Sequence, residues 1–143
     1  MERVSREDIP KGMFENLMVI ENYINDSPLD LKLLELIRLR VAQVNNCTYC
    51  VNMHRKELKD AGEIDERIAS LNDWRETTLF SEKEKAVLNF TEKLTKISSE
   101  QIDDELIDSL SNHFNKSEIC YLTLAVSQIN TWTRLMKTFN FPS

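Results

Sequence analysis

Leu29-Asp30-Leu31-Lys32-Leu33-Leu34-Glu35-Leu36-Ile37-Arg38-Leu39-Arg40-Val41-Ala42-Gln43-Val44 reads as one long helix with two apolar stripes. Leu34, Ile37, Val41 and Val44 recur at three- and four-residue steps, and Leu29, Leu33 and Leu36 form a second stripe beside them. A helix apolar over so much of its circumference needs neighbours on several sides, which predicts a central position. Glu35, Arg38 and Arg40 interrupt it.

Towards the N-terminus, Asn25-Asp26-Ser27-Pro28 is a turn. Before it lies a helical segment opening at Asp8-Ile9-Pro10, with Phe14, Leu17, Met18 and Ile24 on its apolar side. Towards the C-terminus, Asn45-Asn46-Cys47-Thr48 reads as a break and restart, because Asn and Thr favour turns and caps over helix interiors. A helix over about Thr48 to Ala61 stops at Gly62. A shorter one over Glu63 to Leu71 is expected to turn Ile64, Ile68 and Leu71 inward, and Trp74 to Phe80 reads as a connecting loop. Ser81-Glu82-Lys83-Glu84 is a capping box, which starts a helix carrying Val87, Leu88, Leu94 and Ile97. Ile102 to Phe114 forms another amphipathic helix. Ser117 is expected to open the last, with Ile119, Leu122, Val126 and Ile129 along one side.

No sustained period-two run occurs, and the 143 residues contain only two glycines and three prolines. The expectation is an all-α bundle of about six or seven helices, one domain over 1–143, with 1–28 as a helical leader and 29–140 as the core. Composition is 41% hydrophobic and 29% charged, with a net charge of −6. An acidic chain without a Lys/Arg run repels phosphate backbones, so no nucleic-acid partner is expected. The opening residues lack the apolar stretch of a signal peptide, and no run approaches the roughly 18 apolar residues a membrane span needs. A cytoplasmic protein without a membrane partner is expected.

The chain has three cysteines, an odd number that argues against a structural disulfide framework. Two fall in Cys47-Thr48-Tyr49-Cys50-Val51-Asn52-Met53-His54. On a helix starting near Cys47, residues 47, 50 and 54 share one face. The free N–H groups and positive end of that helix favour thiolate over thiol. His54, one turn past Cys50, is placed to take its proton. Cys50 is then the better-activated nucleophile, and Cys47 is able to close a disulfide on it, as peroxide reduction and thiol exchange require. Thioredoxin-like motifs sit in a βα context that is missing here. The alternative is a zinc site, with Cys47, Cys50 and His54 joined by His113, Cys120 or Glu35, although no second closely spaced ligand pair accompanies them.

Glu35 reads either as an ion-pair partner of Arg38 or Arg40 or as a proton acceptor feeding His54. At 1.5 Å per residue from a turn near Asn46, Glu35 lies roughly 15 Å along one helix and His54 roughly 10 Å along the other. Their contact would need an intervening water or a tilted crossing, and Arg38 competes for the same space. Tyr49 either packs on the core or joins the proton network. His113 is read as a helix-end residue, Cys120 as a small core residue, and Trp74 and Trp132 as core or interface residues.

Glu35, the block Asn46-Cys47-Thr48-Tyr49-Cys50 and Met53-His54 together resemble the AhpD-like alkylhydroperoxidase core of the carboxymuconolactone decarboxylase superfamily. The resemblance runs from about Leu31 to Phe139. It includes Glu35-Leu36-Ile37-Arg38-Leu39-Arg40, Trp74-Arg75-Glu76, Leu79-Phe80-Ser81 and Ile129-Asn130-Thr131-Trp132-Thr133-Arg134-Leu135. It implies an all-helical, homo-oligomeric protein (dimer, trimer or hexamer) that is a thiol-dependent peroxidase or disulfide oxidoreductase of antioxidant defence. Residue by residue, it implies Glu35 and His54 as a proton relay, Cys50 as the cysteine attacking peroxide and Cys47 as its resolving partner. A dithiol is the implied reductant, and no cofactor or metal is implied. The best-studied type of member has a histidine where this chain has Tyr49, and the decarboxylase branch lacks the cysteine pair. The alternative from another class is a non-catalytic oligomeric or zinc-stabilised helical module.

Overall fold

The structure is a computed structural model and describes residues 1–142. Its helices are α1 (Met13–Asn25), α2 (Leu31–Val44), α3 (Thr48–Asp60), α4 (Asp65–Ser70), α5 (Glu82–Thr95), α6 (Asp104–Ser111) and α7 (Lys116–Phe139). Short 3-10 turns span Arg6–Asp8 and Leu71–Glu76, and no strand occurs among the described residues.

α2 is the axis of the bundle. It packs against α3, α5 and α7 and buries nine of its residues, among them Leu34, Ile37 and Val41 from one stripe and Leu33 and Leu36 from the other. Two of the nine, Glu35 and Arg38, are charged. The helix begins where the Asp30 carboxylate accepts from the Lys32 N–H, two residues inside the sequence-expected start.

Its end sets up the functional region. Asn46 adopts the left-handed conformation (φ 53°), and the Cys47 N–H reaches back 3.0 Å to the Ala42 carbonyl. This reverses the chain so that α3 runs back along α2. Asn45 fixes the turn to α7, its side-chain amide donating to Asn130 Oδ1 and Thr133 Oγ1, both at 2.9 Å. Cys47 is the N-cap of α3, its sulfur accepting from the Cys50 N–H at 3.4 Å. α3 ends before Gly62, whose φ of 100° few other residues adopt.

Several sequence-based expectations are corrected. Helix α4 is shorter than 63–71 and leaves Ile64 exposed, since Ile64 is its N-cap; Ile68 and Leu71 do turn inward. Residues 74–76 are not loop but the end of a 3-10 turn that buries Trp74. The last helix starts at Lys116 rather than Ser117, because Asn115 and Glu118 form a reciprocal capping box like that of Ser81 and Glu84. Cys120 is exposed rather than in the core; the buried positions of α7 lie at Leu122, Ala125, Val126 and Ile129, a stripe that residue 120 misses.

A large apolar core surrounds α2, and a smaller cluster gathers Ala42, Cys47, Cys50, Met136 and Phe141. The smaller cluster is closed by the chain ends. The Arg3 N–H donates to the Phe139 carbonyl at 2.8 Å, and the Asn140 side chain donates to the Met1 carbonyl at 2.7 Å.

Candidate active site

Cys47 and Cys50 are joined as a disulfide at the start of α3, their Cα atoms 5.3 Å apart. Cys50 has no exposed surface and Cys47 only 3%. Spacing alone dictates the proximity: the N-cap and the third helical residue lie one turn apart on one face. His54 is one further turn along the same face and is buried.

His54 Nδ1 lies 2.9 Å from Glu35 Oε2. The contact is direct, without an intervening water. Arg38 does not displace this contact, because its guanidinium donates to the other carboxylate oxygen, Oε1, at 2.8 Å. Burial alone raises the Glu35 carboxyl pKa. The hydrogen bond and charge of His54, together with Arg38, outweigh that and hold Glu35 below its ordinary value. An ionised Glu35 can only accept, so Nδ1 is the donor, and in the neutral imidazole it is Nε2 that carries the lone pair. That Nε2 is buried and has no hydrogen-bond partner among the described residues.

A cavity of about 350 Å³ opens over this group. Glu35, Arg38, Cys50 and His54 line it together with Phe14, Met18, Met53 and Trp132. Cys47 belongs to the disulfide but does not line this cavity.

The network extends to residues that the sequence does not mark. Arg38 also donates to Glu21 (3.0 Å) and Asn25 (2.7 Å), both on α1, and the Trp132 indole donates to Glu21 at 2.7 Å. Arg6 donates to the Tyr49 hydroxyl at 3.2 Å and lies over the Phe141 ring. Of the two readings of Tyr49, its ring packs edge-on against Phe141 while its hydroxyl bonds Arg6 rather than Glu35 or His54. Only the alternation of charge with apolar residues in α2 hinted at any of this, and nothing local to Glu21 did.

The zinc reading finds no ligand set. His113 is exposed in the turn between α6 and α7 and Cys120 is exposed on α7, while the sulfurs of Cys47 and Cys50 are bonded to each other. Among the described residues, no group of three or more His, Cys, Asp or Glu side chains is arranged to hold a metal. Nor, among the described residues, is any helix long and apolar enough to cross a membrane.

Comparison with known proteins places the chain. Residues 12–93 match the carboxymuconolactone decarboxylase family. The uncharacterised YdfG of Bacillus subtilis is 36% identical over 135 residues, covering 94% of this chain and 91% of its own. The crystal structure of ATU0492 from Agrobacterium tumefaciens, a protein of unknown function proposed to be an antioxidant defence protein AhpD, superposes with a TM-score of 0.94 at 32% identity, covering 99% of this chain and 97% of its own. The debrominase Bmp8 shares the fold at 12% identity (TM-score 0.80, covering 90% and 69%), so this architecture serves more than one chemistry. The chain belongs to the carboxymuconolactone decarboxylase family and has the all-helical fold of its AhpD-like members.

Proposed function

We propose that this protein is a thiol-dependent peroxidase and disulfide oxidoreductase of antioxidant defence. One observation carries the reading: Cys50 shares a cavity with His54, whose Nδ1 is held by Glu35 and whose Nε2 is buried and unpartnered. A disulfide has no proton to share, but its reduction gives Cys50 one, and His54 Nε2 is the base on the same helical face.

In the reduced protein, the Cys50 thiol passes its proton to His54. The thiolate attacks the terminal oxygen of a hydroperoxide and the O–O bond breaks. The alcohol departs with the proton from His54, leaving Cys50 as a sulfenic acid. The Cys47 sulfur then attacks Cys50 and water leaves, restoring the disulfide. A dithiol returns two electrons and resets the pair, a cycle that suits a reducing compartment such as the cytoplasm. Glu35 keeps the imidazole in the tautomer that accepts at Nε2.

We propose further that the protein works as a homo-oligomer. The support is apolar surface on α1, where Val19 and Tyr23 are more than half exposed. Sedimentation at two concentrations tests this, and a monomer throughout would refute it.

The function is tested by titrating thiols in reduced protein before and after one equivalent of hydroperoxide, with mass spectrometry to locate the bond. The expected result is rapid loss of two thiols, joining Cys47 to Cys50, with Cys120 left free. Cys47→Ser and Cys50→Ser should each abolish turnover. A Cys50→Ser protein as active as wild type would overturn the proposal.

A further inference from the structure

The two cysteines of the disulfide line different openings. Cys50 lines the cavity shared with His54 and Glu35 and is absent from a second cleft of about 410 Å³ on the far side. Cys47 lines that second cleft and is absent from the first. Tyr49, Met136 and Phe141 line both and so form the wall between them. The wall is braced by the edge-on packing of Tyr49 on Phe141 and by Arg6, which bonds the Tyr49 hydroxyl and stacks over Phe141.

The two openings also differ in charge. The Cys50 cavity is lined by the carboxylates Glu21, Glu35 and Glu57 and by Arg6 and Arg38, with Arg38 paired to Glu21 and Glu35, so its charges largely cancel. The Cys47 cleft has Arg3 and Lys137 and no carboxylate, on a chain whose net charge is −6. This cleft is a local reversal of the surface's sign.

We propose that the Cys47 cleft is a separate reductant site, at which a dithiol bearing negative charge attacks Cys47 Sγ while substrate uses the Cys50 cavity. The inference rests on the reading of Cys47 and Cys50 as a working redox pair. A reductant thiol gives its proton to solvent, its thiolate bonds to Cys47 Sγ, the Cys47–Cys50 bond breaks, and Cys50 leaves as the thiolate, which then takes a proton from solvent. The reductant's second thiolate then attacks its own sulfur in the mixed disulfide. Cys47 is released as a thiolate that accepts the Cys50 N–H, as its sulfur already does at 3.4 Å, and is then protonated from solvent. The dithiol ends as a disulfide, and the protein gains two electrons and two protons. Spent alcohol need not leave the Cys50 cavity before reduction begins.

The test uses the full chain with its disulfide formed by diamide, so that no arm depends on peroxide chemistry. Mercaptosuccinate, a monothiol, is added, the reaction is quenched with acid, and the adduct is mapped by mass spectrometry. The adduct is expected on Cys47, with Cys50 free; an adduct on Cys50 overturns the site. In a second arm, the first step alone is timed with the anionic monothiol mercaptosuccinate and with neutral 2-mercaptoethanol, each rate divided by that reagent's rate with bis(2-hydroxyethyl) disulfide. Mercaptosuccinate should be favoured about 10-fold at low salt, with the preference fading at high salt. Lys137→Gln should reduce it. Equal corrected rates at low salt overturn the assignment of an anionic reductant. A protein that peroxide never oxidises but that forms the Cys47 adduct would remove the peroxidase reading and leave this one standing.

Discussion

Glu35→Gln separates the charge of the relay from its shape. The buried carboxylate accepts two hydrogen bonds, from Arg38 at 2.8 Å and from His54 Nδ1 at 2.9 Å. Glutamine has one oxygen and one N–H₂ to offer in their place. Arg38 is donor-only, so the amide oxygen must face it, which turns the amide nitrogen towards His54. Nδ1 then has to accept, the ring proton moves to Nε2, and the group facing the cavity becomes a donor. Loss of a positioned general base costs about 10²-fold to 10⁴-fold. Replacing the charge-assisted bonds costs on the order of 1–3 kcal/mol of stability, which a helical protein of this size survives. The assay is stopped-flow fluorescence of reduced protein mixed with hydroperoxide at neutral pH, with Trp132 in the cavity as reporter. Slowing of about 10²-fold or more, in a variant that still melts cooperatively, is the expected result. A rate within about twofold of wild type would mean that Nε2 is not the base that activates Cys50.

The same carboxylate gives a pH prediction. Glu35 titrates below its ordinary value in the folded chain, so its bonds stabilise fully above the unfolded carboxylate pKa and are lost as pH falls through the folded one. Denaturant midpoints measured from about pH 7 down to pH 3 should fall faster for wild type than for Glu35→Gln, and parallel curves would contradict this. Gly62→Ala should lower stability by about 1–2 kcal/mol, read from urea unfolding, because φ there is 100° although no atom lies within 4 Å of the added Cβ. Cys120→Ser, at an exposed position, should leave both the melting temperature and the peroxide-formed disulfide unchanged.

What the sequence showed and what it hid follow one physical division. The centrality of α2 was legible because burial on several sides writes itself into a single segment as two stripes. The α3 start and the Ser81 cap were legible for the same reason, since caps are contacts within four residues. Asn115 was hidden behind Ser117, another plausible cap two residues on; the deciding partner was Glu118, three residues after Asn115. Ile64 and Cys120 were misplaced because apolar character was taken as burial, whereas one begins a helix and the other lies off the buried stripe of α7. Glu21 and Asn25 could not be found at all. Their role depends on α1 lying against α2, and a polar residue awaiting a distant arginine looks like any solvated one. The disulfide side of the site was thus local and readable, and the ring of charge around Glu35 was tertiary and was not.

The meeting of the two chain ends beside the disulfide bears on the order in which the molecule assembles. The Asn140–Met1 and Arg3–Lys137 contacts span 139 and 134 positions. Closing so long a loop carries the greatest entropic cost of any contact in the fold, whereas α2, α3 and the turn between them need only their neighbours. The helical core is therefore expected to form first, with the chain-end contacts that brace the partition around Tyr49 and Phe141 locking later and fraying earlier. Trimming the C-terminal residues through Phe141 is expected to remove one side of that partition, while Tyr49 and Met136, which belong to α3 and α7, stay in place. The divide between the two openings thus rests partly on the helical bundle and partly on the residues added at its ends.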